Sequence, residues 1–93
     1  MHALVNHTKS DPAKFDEGVR VVKEKVIPTV KKQAGFKGGY WLFDRKTGNG
    51  LAVTLWEGEQ AIQSSGGALK QLADEEPGDF QMTSERYEVV AQA

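Results

Sequence analysis

Asn6 and His7 stand side by side near the start of the chain, and their side chains are its first candidates for chemistry. An asparagine on a strand offers two donors and one acceptor. That is enough to hold a phenolate or carbonyl oxygen in an apolar pocket. His7 is a conceivable general base, since imidazole ordinarily changes charge near neutrality. Tyr40 adds a phenolic hydroxyl, and Trp56 a large ring with one N–H donor. Other groups read as structural. His2 and His7 are the only histidines, and they point to opposite faces of a regular strand. No histidine pair lies at helical spacing, so no metal site is expected. Ser64 and Ser65 have no histidine nearby in sequence, and Asp74-Glu75-Glu76 reads as a solvated turn. Gly66-Gly67 lacks the lysine and Ser/Thr of a phosphate loop. The absence of cysteine excludes disulfides, thiolate zinc sites and cysteine nucleophiles.

These groups sit in a chain of 93 residues, the size of one domain spanning 1–93. Twelve basic residues face thirteen acidic ones. A nucleic-acid binder usually carries a basic footprint, so nucleic acid is not an expected partner. No segment approaches the roughly 20 apolar residues of a membrane span, and the first seven residues lack the apolar run of a signal peptide. The expectation is a cytoplasmic protein with no membrane partner.

The elements that must position the candidates are well punctuated. Residues 2–8 read as a first strand. Asp11 can cap a helix and Pro12 suits its first turn. Phe15, Val19, Val22, Val26 and Val30 then form one apolar stripe, with Lys14, Lys23, Lys25, Lys31 and Lys32 on the wet side. The helix is about 22 residues long, roughly 33 Å. Pro28 removes the hydrogen bond to the carbonyl of Glu24 and should kink it; Gly35 ends it. Phe36 to Asp44 and Leu51 to Glu57 are two strands joined by a glycine-rich turn, a hairpin. A second helical region follows, with Ala61, Ile62, Ser65, Leu69, Leu72 and Ala73 on its buried side and an interruption at Gly66-Gly67. Asp74 to Asp79 is a turn, and Phe80 to Val90 a last strand with a bulge expected near Ser84-Glu85.

The order β-α-β-β-α-β predicts an α+β, ferredoxin-like fold, with a four-stranded antiparallel sheet and both helices on one face. Tyr40-Trp41-Leu42-Phe43 is then apolar on both sides of its strand. One side can be covered by the helices, while the other would expose a patch larger than a monomer usually shows. A homodimer, with two sheets packing as a dimeric α+β barrel, would bury it. With Tyr40 facing the helices, Trp41 and Phe43 fall in the dimer interface. With the opposite phase, the roles exchange.

Gly35-Phe36-Lys37-Gly38-Gly39-Tyr40 and Ala52-Val53-Thr54-Leu55-Trp56-Glu57-Gly58-Glu59-Gln60-Ala61 resemble the antibiotic biosynthesis monooxygenase type of dimeric α+β barrel. The matching features are G-F-x-G after the first helix and L-x-W-x-x-x-x-A closing the third strand. The resemblance spans nearly the whole chain and implies a ligand pocket between sheet and helices. It also implies oxidation of electron-rich phenols by molecular oxygen without metal or flavin. Asn6 would then be the catalytic candidate that orients a substrate oxygen, with Tyr40, Trp56 and His7 as substrate-binding residues and Trp41 and Phe43 at the dimer interface. No cofactor is expected. Haem-degrading relatives carry a second tryptophan nine residues after the strand-three tryptophan and a histidine beyond it. This chain has Ser65 at the first place and no histidine after His7, which argues against haem degradation. The reading is a cofactor-independent monooxygenase acting on a small aromatic or quinone-type molecule. The alternative is a non-catalytic ligand-binding or structural homodimer of the same fold.

Overall fold

A computed structural model describes residues 1–66 and 81–93, with the backbone alone at 81 and 82. Strand β1 is His2–Lys9, β2 Phe36–Phe43, β3 Asn49–Trp56 and β4 Gln81–Glu88. They form one antiparallel sheet in the order β2-β3-β1-β4, the arrangement expected of a ferredoxin-like fold. Helical residues lie between β1 and β2, and again from residue 59 to the described limit at 66 (α3). Gly66 is still helical. The expected burial of Leu69, Leu72 and Ala73, the interruption at Gly67 and the turn from Asp74 to Asp79 lie outside the described residues. Among the described residues no helix is long and apolar enough to cross a membrane.

The first helical stretch begins as its sequence directs. Asp11 caps it, its Oδ1 accepting from the Ala13 N–H at 2.9 Å, and Pro12 opens a 3-10 turn, Pro12–Lys14. The path then runs through α1, Phe15–Val21, a π-helical turn, Val22–Val26, and α2, Ile27–Lys31. The π turn is the chain's answer to Pro28. A proline inside a regular α-helix removes one hydrogen bond and crowds the carbonyl four residues back. Here the turn widens, and the Ile27 N–H reaches the Val22 carbonyl, five residues away. Thr29 Oγ1 donates to the Lys25 carbonyl at 2.8 Å. The helix is therefore widened rather than broken, with Val30 buried and Val19, Val22 and Val26 half-buried.

The core sits between sheet and helices. Leu4, Trp56 and Ile62 form its buried centre, with Phe36 and Ala61 against it. Trp56 is fully buried, and the Phe36 ring meets its edge at a centroid distance of 5.3 Å. The indole N–H donates to Thr54 Oγ1 at 2.9 Å, so no polar atom of Trp56 is left over.

The phase of β2 departs from a regular strand. Phe36 pairs with Trp56, yet Gly38 pairs with Leu55, so Lys37 is an extra residue with no partner on β3. This bulge flips every later side chain to the opposite face. Gly38 follows it at φ +142°, a backbone region that favours glycine. The expected bulge near Ser84-Glu85 is absent; β1 and β4 pair without a register shift from His2–Glu88 to Lys9–Gln81.

A Cβ at Gly38 would meet nothing within 4 Å, so alanine there isolates the backbone cost of the bulge. Gly38→Ala should lower the unfolding free energy by about 1–3 kcal/mol. The urea midpoint should fall with an unchanged m-value. An unshifted midpoint would show that the bulge does not need this backbone geometry.

Candidate functional site

Register assigns each strand residue to a face. The helix side carries a row across all four strands: Trp41 on β2, Ala52 on β3, Asn6 on β1 and Ser84 on β4. Trp41, Ala52 and Asn6 are all half-buried. The small Ala52 stands between the indole and the amide in this row. Ser84 Oγ donates to Asn6 Oδ1 at 2.6 Å. With its oxygen engaged, Asn6 has its NH2 donors left for another group.

One row further, Phe43, Gly50 and Thr8 follow on the same side. Gly50 has no side chain because Thr8 and Phe43 close over it: an added Cβ would lie 2.3 Å from Thr8 Oγ1 and 2.6 Å from the Phe43 ring. Phe43 meets Phe15 of α1 edge-on, with centroids 6.2 Å apart. The Arg45 guanidinium lies 4.0 Å over the Phe15 ring, and its Nη1 stands 3.7 Å from Asp16 Oδ1. The hairpin thus grips the start of α1 and fixes one end of the helix side.

The bulge corrects the assignment of the aromatic side chains. The sequence reading prefers Tyr40 on the ligand side, with Trp41 and Phe43 in a dimer interface, and leaves the reversed phase open. Instead Trp41 and Phe43 face the helices, and Tyr40 stands on the open face with 69% of its surface exposed. The alternation expected for β2 is present; its phase is reversed, because the residue that resets it lies upstream at Lys37. Trp56 lies on the helix side as core, supporting the row from below rather than offering its N–H to a ligand. His7 lies opposite Asn6, on the open face, as adjacent residues of a strand must.

Sequence reasoning missed the partners of His7. Its Nε2 lies 2.7 Å from Glu85 Oε1, and the Tyr87 hydroxyl donates to Glu85 Oε2. The alternation of Glu85 and Tyr87 is visible in the sequence, but the β1–β4 register that brings them to His7 is not. The Tyr87 bond and the nearby His7 hold the Glu85 carboxyl below the usual carboxylate range. The same bond to Glu85 raises the Tyr87 phenol. A wide trough of about 840 Å³ opens beside His7 at the hairpin end, with Leu42, Leu51 and Thr83 in its lining. It is open to solvent and does not coincide with the row around Asn6.

No protein-family model and no curated protein sequence matches the chain. Solved structures do match it. SnoaB, a cofactor-independent oxygenase from Streptomyces nogalater, aligns with a TM-score of 0.75 at 14% identity, covering 98% of this chain and 94% of its own. The heme-degrader MhuD from Mycobacterium tuberculosis, with two hemes bound in its active site, aligns at 0.79 and 18%, covering 100% and 99%. A protein described as an antibiotic biosynthesis monooxygenase aligns at 0.69 and 12%, covering 98% and 100%.

The bond between Tyr87 and Glu85 sets a pH dependence of known sign. A carboxyl with a depressed folded value contributes stability above the ordinary carboxylate range and loses it as pH falls through the folded value. A raised phenol contributes below the ordinary phenol range and loses it as pH rises through the folded value. Tyr87→Phe should move the Glu85 carboxyl titration, followed by carbon NMR, upward toward the usual range. Glu85→Gln should move the Tyr87 ultraviolet titration downward. If neither titration moves, the two side chains are not bonded in solution.

Over nearly its whole length, the chain has the fold of the antibiotic biosynthesis monooxygenase-type proteins.

Proposed function

We propose that the helix side of the sheet binds a small aromatic or quinone-type molecule at Asn6, and that the protein is a cofactor-independent monooxygenase working as a homodimer. The observation that carries this reading is the row Trp41–Ala52–Asn6–Ser84. It joins an aromatic side chain, a small residue and an amide whose oxygen is already engaged. The amide NH2 is then available for a substrate oxygen. As a phenolic substrate loses a proton to solvent, negative charge gathers on that oxygen, and a positioned donor stabilises it. For an anthrone-type substrate, a ring methylene reacts with one molecule of oxygen to give a ring carbonyl and one molecule of water. Both methylene C–H bonds break and a carbon–oxygen double bond forms. The substrate carbon gives up four electrons, which reduce both atoms of the oxygen molecule. One of those atoms stays in the carbonyl, and the other leaves as water with the two hydrogens. The protein's part is to orient the ring and exclude water.

SnoaB supports this reading by its description as a cofactor-independent oxygenase of the same fold. MhuD, described with bound heme, raises the haem alternative. Ser65 speaks against it here. It stands where the haem-degrading resemblance calls for a second tryptophan, and it is buried, its Oγ donating to the Ile62 carbonyl at 2.9 Å.

Oxygen uptake with anthrone-type phenols should persist in the presence of a metal chelator. Asn6→Ala should reduce kcat by about 100-fold, the scale of losing one positioned donor to a developing oxyanion. Binding of such phenols without any oxygen uptake would favour the non-catalytic ligand-binding protein instead.

The homodimer reading is supported by the open face. Tyr40, Leu42 and Tyr87 are exposed there, beside half-buried Leu51, Val53 and Leu55. Apolar patches of this kind commonly mark protein interfaces. Sedimentation should give twice the chain mass, and Val53→Asp, which places a charge amid this face, should give the single-chain mass. A wild-type protein that sediments as one chain at micromolar concentration would overturn the dimer.

A further inference from the structure

An amide can face a ligand with either end. Oδ1 and Nδ2 are nearly the same size, so packing alone does not choose between them. One end accepts hydrogen bonds and the other donates them, and an inverted Asn6 would recognise the opposite kind of ligand. The choice must come from a hydrogen-bond partner, and the neighbours of Asn6 differ in what they offer. Across β3 and β2, Ala52 has no polar side-chain atom and Trp41 has only an N–H donor. Along the same face of β1, Leu4 is apolar and Thr8 closes over Gly50. On β4, Arg86 follows Ser84 on this face, and its Nη1 stands 3.8 Å from Glu59 Oε1 at the start of α3. Ser84 remains, directly opposite Asn6 in the β1–β4 register.

The distance between the two side chains decides the orientation. Ser84 Oγ is 2.6 Å from Asn6 Oδ1. That separation fits an O–H···O bond, about 2.5–3.0 Å, and is shorter than the N–H···O range of about 2.7–3.2 Å. An inverted amide would present Nδ2 at the same place, and the two side chains would have to move apart.

We propose that Ser84 sets the ligand preference of the Asn6 site: by donating to Oδ1 it keeps the amide NH2 toward the ligand, and so selects aromatic molecules that present an acceptor oxygen over those whose only polar group is an N–H donor. The proposal rests on the reading of Asn6 as the group that meets the ligand. A ring carbonyl and the enolate or phenolate formed from it are both acceptors. One orientation of the amide therefore serves such a molecule before and after it loses a proton. A ring N–H brings a donor to a donor and leaves both unpaired, which is costly away from water. Trp41, also a donor, offers such a ligand no acceptor on the other flank.

The test compares chromone, a fused-ring carbonyl acceptor, with indole, a fused-ring N–H donor, by NMR titration of the full chain. Chromone should shift the side-chain NH2 resonances of Asn6. Ser84→Ala should move the side-chain carbonyl carbon of Asn6 upfield, as a carbonyl moves on losing a donor. The same variant should weaken chromone binding about three- to tenfold, the scale of one hydrogen bond. Indole should bind Ser84→Ala no more weakly than the wild type, because the freed amide can turn its oxygen to the N–H. Ser84→Thr keeps the hydroxyl and should keep the wild-type preference. Chromone that leaves Asn6 unmoved would remove the site itself, and this proposal with it. Equal binding of chromone at Asn6 in wild type and Ser84→Ala, equal losses of both ligands, or a Ser84→Thr variant that behaves as Ser84→Ala would overturn the role of Ser84 and leave the site standing.

Discussion

Phe36 must meet Trp56 at the centre of the core, and Trp41 and Phe43 must reach the same side of the sheet further along β2. A regular strand cannot do both, since residues five and seven positions beyond Phe36 would face away from it. The extra residue at Lys37 resolves the conflict. It changes which aromatic groups the helices cover and which the solvent meets. The consequence is chemical as well as structural. Without the bulge, Tyr40 would stand opposite Asn6 and offer a second polar group. With it, the wall opposite Asn6 is an indole, and the amide finds its side-chain partner in Ser84 on the other flank.

The helix on this side of the sheet meets a comparable conflict at Pro28. A tight α-helical turn there would leave one carbonyl without its donor and press it against the proline ring. The π turn moves the irregularity one turn ahead, where Ile27 N–H and Thr29 Oγ1 take up the carbonyls of Val22 and Lys25. A wider turn also accommodates the four-residue spacing of Val22, Val26 and Val30, which a regular helix of 3.6 residues per turn would let drift. At the other end, the Ser10 N–H donates to the Gly48 carbonyl at 3.0 Å, and Arg45 covers Phe15. The helix is thus located by contacts at its start and by Val30 near its end, with the strain of the proline absorbed between them.

Much of this is legible in the sequence. The succession of elements along the chain, the helix cap at Asp11, the apolar stripe through Val30 and the hairpin all follow from spacing and local chemistry. These are features in which a residue's neighbours in sequence are also its neighbours in space. The phase of β2 is not legible in the same way. A bulge is a relation between two strands, and G-F-K-G-G reads equally well as a helix stop or as the start of an even strand. Trp56 is visible as a large group closing β3. Its complete burial depends on Leu4, Phe36 and Ile62 converging from three other elements. The pairing of His7 with Glu85 joins residues 78 positions apart, and only the β1–β4 register places them together.

The most reactive-looking pair in the sequence, Asn6 and His7, is also the pair that the fold separates most firmly. Consecutive residues on a strand point to opposite faces, and the backbone ladder between them leaves no route for a direct proton transfer. Chemistry at Asn6 therefore cannot use His7 as its base. Under the proposed function, a substrate at Asn6 gives its proton to solvent or to a group other than His7. The separation favours, under that proposal, substrates that form stabilised anions, such as fused-ring phenols. It leaves His7, oriented by Glu85, to serve whatever meets the other face.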